Sequence, residues 1–159
     1  MKKIRKIAVE QNFAAISVGK LNELNEYELQ LGPDVKIPGK VFCSTALGTT
    51  GSEFSFQSFA PGTETGFLHS HKSHEELYFF LSGKGEFQVD GTVFPVEEGS
   101  VVRVSPAGKR SVRNNGTTPL LMLCIQYCSN TFSQEDATDG ILSLIHISEP
   151  RDTERSRMP

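Results

Sequence analysis

The stretch His69–Glu76, HSHKSHEE, gathers three imidazoles and two carboxylates in a chain whose one other histidine is His146. Side chains two apart on an extended chain point the same way, so His69 and His71 can aim their rings at one point. The residues that follow, EELYFFLSG, alternate. Glu76, Tyr78 and Phe80 share one face, and Glu75, Leu77, Phe79 and Leu81 the other. Only one of the two glutamates can therefore join the imidazoles. Two imidazoles and a carboxylate make a mixed nitrogen–oxygen set that suits Fe, Mn, Ni, Co or Zn, whereas Ca and Mg ask mainly for oxygen. The plainer alternative is a buried polar cluster whose members hydrogen-bond one another.

Such a cluster needs strands to hold it. From Lys40 onward, short β-type segments alternate with turn residues: KVFCSTAL, SEFSFQSFA, GFLHSH, EELYFFL, GEFQVDGTVFPV, SVVRVS, RSVRN and PLLMLCIQY. Asp90-Gly91, between Val89 and Val93, is a hairpin signal, because Asp and Gly accept the positive φ of tight primed turns. Upstream, NEYELQL alternates Tyr27, Leu29 and Leu31 on one face, GPDVKIPGK reads as a turn-rich connector, and VGKLNELNEY hints at a short helix. Many short strands without a long helical period predict a β-sandwich or barrel.

A chain of 159 residues suits one ordinary domain. Its net charge of −3, with acidic and basic residues scattered, speaks against a nucleic-acid partner. Glu10, Gln11 and Asn12 interrupt the basic start MKKIRKIAVEQ, so neither a secretory signal nor a membrane span is expected. Cys43, Cys124 and Cys128 lack CxxC spacing and read as buried free thiols in a reducing cytoplasm.

GTETGFLHSHKSHEELYFFLSGKG resembles the first motif of the cupin superfamily: a glycine, HxH, three or four residues, a glutamate, then six residues to a glycine. Counting back from Gly83 selects Glu76. GSVVRVSPAGKRSVRNN is similar to the second motif, and together the two cover Gly62 to Asn115. The resemblance implies an all-β, double-stranded β-helix (a jelly-roll barrel) with its site inside and with His69, His71 and Glu76 as metal ligands. The family usually supplies a fourth histidine from the second motif, and this chain has none there. Counting from Gly99 without a gap puts Arg110 in that slot and Asn114 in the motif's asparagine slot. Counting from Pro106 and Gly108 puts Ser111 there, with Asn115 following. An arginine stays charged and would make an anion-attracting wall; a serine would leave a coordination position open.

The implied protein is a small cytoplasmic cupin with a divalent transition metal, binding or transforming a small molecule of anionic or sugar-like character. The alternative is a metal-free binding or sensing cupin without catalysis. An enzyme of this kind would be a metal-dependent isomerase, epimerase or oxygenase. Arg110, Ser111, Arg113, Tyr78 and Gln57 are the candidate ligand-binding residues. His74 is expected in a solvated turn, Glu75 on the surface, and Phe80, Phe87 and Val89 in the core. Metal binding should weaken below about pH 6, where free imidazole protonates. The outward stripe Leu77, Phe79 and Leu81 needs cover from N-terminal strands or a second subunit, and a two-fold homodimer is expected.

The final stretch LSLIHISEPRDTERSRMP has no apolar period. Leu142–Pro150 can be back-translated as CTG TCT CTT ATA CAC ATC TCC GAG CCC, which resembles adapter DNA of sequencing libraries. After a one-base shift, Arg151-Asp152 and Ser156–Pro159 fit the adapter's continuation. The expected organisation is N-terminal strands and connector over 1–39, a cupin barrel over 40–132, a truncated native segment over 133–141, and a non-native stretch over 142–159 in which His146 has no function.

Overall fold

In the computed structural model, which describes residues 1–142, two hairpins precede the barrel: β1 (Arg5–Val9) with β2 (Ala14–Ser17), and β3 (Glu28–Leu31) with β4 (Val35–Pro38). A 3-10 turn at Leu21–Glu26 lies between them. The barrel strands are β5 (Lys40–Phe42), β6 (Ser52–Phe59), β7 (His74–Ser82), β8 (Lys84–Val89), β9 (Thr92–Glu97), β10 (Val101–Val104), β11 (Arg110–Arg113) and β12 (Leu120–Cys128). They form two antiparallel sheets, ordered β10-β7-β12-β6-β5 and β11-β8-β9. This is the expected all-β jelly roll. Among the described residues, no helix is long and apolar enough to cross a membrane.

Cross-strand register decides what the interior sees. Lys40, Gln57, Met122 and Phe80 lie opposite one another across the larger sheet, and one step along run Phe42, Ser55, Cys124 and Tyr78. A third row runs Glu53, Gln126, Glu76 and Val104. The smaller sheet closes the far end of this interior with Phe87, Val96 and Val112. Phe87 is fully buried, stacked on Phe94 at 5.7 Å and edge-on to Tyr78 at 4.8 Å. Burying a ring of this kind contributes ~1.5–3 kcal/mol.

The larger sheet is also covered outside. Leu24 and Tyr27 pack with Val41, Cys43 and Leu121, and Leu81 joins them. The N-terminal segment thus covers one end of the outward apolar stripe, while Leu77 and Phe79 stay half-buried.

Two backbone positions explain motif residues. Gly83 has φ +85°, and a Cβ there would lie 2.3 Å from the Pro119 carbonyl oxygen, so only glycine fits between β7 and β8. Asn114 is buried, its amide donating to the Phe59 and Thr118 carbonyls at 2.8 Å and its oxygen accepting from the Gly116 N–H at 2.9 Å. The asparagine of the second motif ties a loop to the barrel. The Asp90-Gly91 turn has the expected positive φ, 49° and 86°.

The structure corrects several segments. GPDVKIPGK is no mere connector, because Val35–Pro38 pairs with β3. KVFCSTAL is a strand only to Phe42 and then makes a helical turn at Ser44–Leu47. GFLHSH is not a ladder strand: its contact with the barrel is an isolated bridge from His69 to Arg110. His74 opens β7 and is half-buried, with its ring 6.1 Å from that of His71 and its Nε2 3.7 Å from Cys128 Sγ. It is not a solvated turn residue. The adapter-like stretch and His146 lie, from residue 143 onward, outside the described residues.

Candidate functional site

Backbone pairing delivers the histidines to the interior. The His69 N–H donates to the Arg110 carbonyl at 3.3 Å, the Arg110 N–H returns the bond at 3.1 Å, and the His71 N–H donates to the Pro106 carbonyl at 2.8 Å. The HxH segment is thereby laced onto β11 and the loop before it. Strand alternation on β7 turns Glu76 inward, with 6% of its surface exposed, and turns Glu75 outward to Arg103 and the Tyr127 hydroxyl. The glutamate chosen by counting from Gly83 is the one that faces the histidines.

Glu76 divides its two oxygens between different neighbours. Oε2 accepts from Arg110 Nη2 at 2.6 Å, from Arg110 Nε at 2.8 Å and from the Tyr78 hydroxyl. Oε1 faces His71 Nε2 at 3.1 Å and accepts a long bond from Cys124 Sγ at 3.5 Å. His69 Nε2 lies 3.5 Å from Oε2. Arg110 has no exposed surface and also donates from Nη1 to the Gly108 carbonyl at 2.7 Å. Its side chain enters the interior where the ungapped motif count puts the missing histidine. Ser111 is half-buried on the cavity wall and donates to the Thr65 carbonyl at 3.3 Å.

Burial alone would raise the Glu76 pKa, but His69, Tyr78 and Arg110 outweigh it and hold the carboxyl well below the usual carboxylate range. For Arg110, burial lowers the pKa and the hydrogen bonds to Tyr78 and Glu76 overcome it, raising it. Burial first, then Cys124 and Glu76, pushes the Tyr78 hydroxyl up. The Cys124 thiol is pushed up to about 12, chiefly by burial and then by the Glu76 charge. Both groups keep their protons at neutral pH and serve as donors.

Donor atoms of His69, His71 and Glu76 all lie within 4.8 Å of one another. A cation bound at ~2.0–2.2 Å from each donor brings its ligands to separations like the 3.1 and 3.5 Å found here. Each imidazole also keeps a buried nitrogen without a hydrogen-bond partner, Nδ1 of His69 and Nε2 of His71. The His71 nitrogen is close to Oε1 but not aligned as a hydrogen bond. A stranded His71 Nε2 beside an ionised carboxylate, with His69 Nε2 3.5 Å from the same group, fits a cation.

These groups form the floor of a cavity of about 440 Å³. Gln57, Tyr78, Cys124 and Gln126 contribute to its lining, and Leu29, Ile37, Phe42 and Phe67 make much of it apolar. Gln57 is buried and inward, as an interior ligand-binding candidate must be. Arg113 is not part of this lining: it points outward on β11, exposed, and pairs with Glu86. That corrects its candidacy, for alternation along β11 allows only one of Arg110 and Ser111 to share the face of Val112, and it places Arg113 opposite. Two contributors went unnoticed in the sequence. Lys40 lines the cavity, and so does the β3–β4 hairpin, through Leu29, Leu31, Val35 and Ile37.

The cupin domain family model matches residues 55–126. A solved cupin protein from Bacteroides fragilis is 32% identical, with 74% of this chain and 97% of that one covered and a TM-score of 0.63. An oxalate-binding protein from Thermotoga maritima is 32% identical over 72 residues, 45% of this chain and 59% of its own. An uncharacterized protein from Methanocaldococcus jannaschii is 35% identical over 69 residues, 43% of this chain and 54% of its own. The chain thus spans between half and two thirds of the length of these curated relatives. It belongs to the cupin family.

Proposed function

We propose that this cupin binds a small anionic molecule of the carboxylate class in its barrel cavity, over a divalent transition metal (Fe, Mn, Ni, Co or Zn) held by His69, His71 and Glu76. The observation that carries the reading is the convergence of His69 Nε2 and His71 Nε2 on the Glu76 carboxylate at 3.5 and 3.1 Å, the His71 nitrogen being buried without a hydrogen-bond partner. Arg110 and Tyr78 occupy Oε2 and leave Oε1 turned toward His71. Charge then argues for an anion. Arg110 cancels Glu76, so a divalent cation leaves the floor with an excess of two positive charges in a poorly solvated site, which an acidic ligand offsets. The oxalate-binding relative supports the same ligand class.

In this reading Arg110 keeps Glu76 ionised and aimed, and Tyr78 donates to the same Oε2. Gln57 offers hydrogen bonds from the wall, and the apolar lining excludes water. A bound metal supplies Lewis acidity. We place the protein in the cytosol, in keeping with the free thiols of Cys43, Cys124 and Cys128.

One observation favours the metal-free alternative: the Arg110–Glu76 ion pair already neutralises the floor. Metal analysis of protein purified without a nickel column, followed by calorimetric titration, separates the two. Ala at His69, His71 or Glu76 should abolish stoichiometric uptake, and Ala at His74 or Glu75 should leave it nearly intact. A wild type that takes up no metal at neutral pH decides for the metal-free barrel.

A further inference from the structure

Lys40 opens β5, three strands from Glu76 in the larger sheet and two inward-facing rows along it, in register with Phe80. Its side chain passes the Phe42 ring, with Nζ 5.1 Å from the centroid, and lines the cavity. The other basic groups of the lining are occupied, Arg110 by Glu76 and Lys36 by Glu28 at 3.0 Å. No ion pair among the described residues includes Lys40. Of the remaining lining carboxylates, Glu64 is exposed, and Glu53 uses Oε1 to accept from the Ser44 and Phe54 backbone N–H groups at 3.3 and 3.0 Å. Gln57, 6% exposed, sits directly opposite Lys40 in the register and offers amide donors at the same wall.

We propose that Lys40 and Gln57 form a second anion subsite, so that the ligand is a short dicarboxylate with one carboxylate at the histidine floor and the other at Lys40. This rests on the reading of the floor as an anion site. The geometry favours two ends over one. Between the two polar poles the lining includes Met122, Phe42 and Phe67, which suit a methylene stem. Burial disfavours the Lys40 ammonium and lowers its pKa, with Cys124 and Glu76 only partly opposing it, so a carboxylate arriving there stabilises the charged form.

The test is calorimetric titration of the full chain, with Mn²⁺ supplied, against succinate, glutarate and adipate and against butyrate, valerate and hexanoate of matched carbon count. The best dicarboxylate should bind at least tenfold more tightly than its matched monocarboxylate. Lys40→Met, which keeps the length and apolar stem, should bring the dicarboxylate down to the monocarboxylate level and leave the monocarboxylate unchanged. Lys40→Arg should retain the preference, and melting curves of both variants should match the wild type. Equal affinities in the wild type, or a preference that survives Lys40→Met, overturn the subsite and leave the floor reading standing. Binding of neither class overturns the anion reading, and this proposal with it.

Discussion

Removing Arg110 should expose how the floor is stabilised. In Arg110→Met the volume of the side chain is largely kept, but Glu76 loses the 2.6 and 2.8 Å bonds and the guanidinium charge that contacts it directly. Breaking a buried pair from one side costs about 3–5 kcal/mol, because the surviving charge is left uncompensated. For a domain of this size that is a fall in melting temperature of roughly 6–20 °C, measured with chelator present so that no metal replaces the lost charge. The pH dependence carries the sign. In the wild type Glu76 has a depressed pKa, so its contribution is complete above the ordinary carboxylate range, ~4.3, and is lost as pH falls toward the folded value. Without Arg110, burial is opposed only by the His69 and Tyr78 hydrogen bonds, and the pKa rises from its wild-type value. The variant's penalty is then greatest at neutral pH and is relieved as Glu76 takes up a proton on acidification. The gap between the two proteins should therefore narrow as the pH falls. Arg110→Met with Glu76→Gln, which removes both charges, should return to within about 1 kcal/mol of the wild type. A single variant that melts within 2 °C of wild type at pH 7, or a gap that does not change with pH, would refute the reasoning.

Metal and anion should bind cooperatively, since a divalent cation beside Arg110 is disfavoured until an acidic ligand shares the site; saturating dicarboxylate should tighten Mn²⁺ binding by roughly 5- to 150-fold in calorimetry. An unchanged metal affinity contradicts this. In solution the chain should be a homodimer, because Val101, 57% exposed, lies beside Phe79 on the outer face that the N-terminal segment leaves partly open. Light scattering at micromolar concentration that gives a monomer mass rules it out.

What the sequence revealed and what it hid follow from range. The histidines and Glu76 were legible because imidazoles are scarce and because alternation is local, needing only the next residue but one. Whether Arg110 or Ser111 fills the fourth slot was not, because it depends on how the Pro106–Lys109 loop takes up its residues. The antiparallel bridge pairs His69 with Arg110, 41 positions along the chain, and the Arg110 guanidinium reaches Glu76. The β3–β4 hairpin was hidden behind Gly32, Pro33, Pro38 and Gly39, whose turn-forming character outweighed the short alternation of Val35 and Ile37.

Lys40 was illegible for a different reason. Alternation assigns residues to two faces but does not say which face is inside when both are covered. Val41 turns outward into the cluster of Leu24 and Tyr27, and Lys40 therefore turns into the barrel. A rule that sends the apolar neighbour inward reverses them. The same ambiguity does not arise on β7, where two glutamates stand next to each other and only the inward one meets two imidazoles and a buried arginine. Where the inner face must carry charge, the interior has to supply a partner, and that demand is what makes Glu76 and Arg110 a pair. At Lys40 no carboxylate among the described residues comes within ion-pair distance, and this is why the far wall of the cavity calls for a ligand with an acid at its second end.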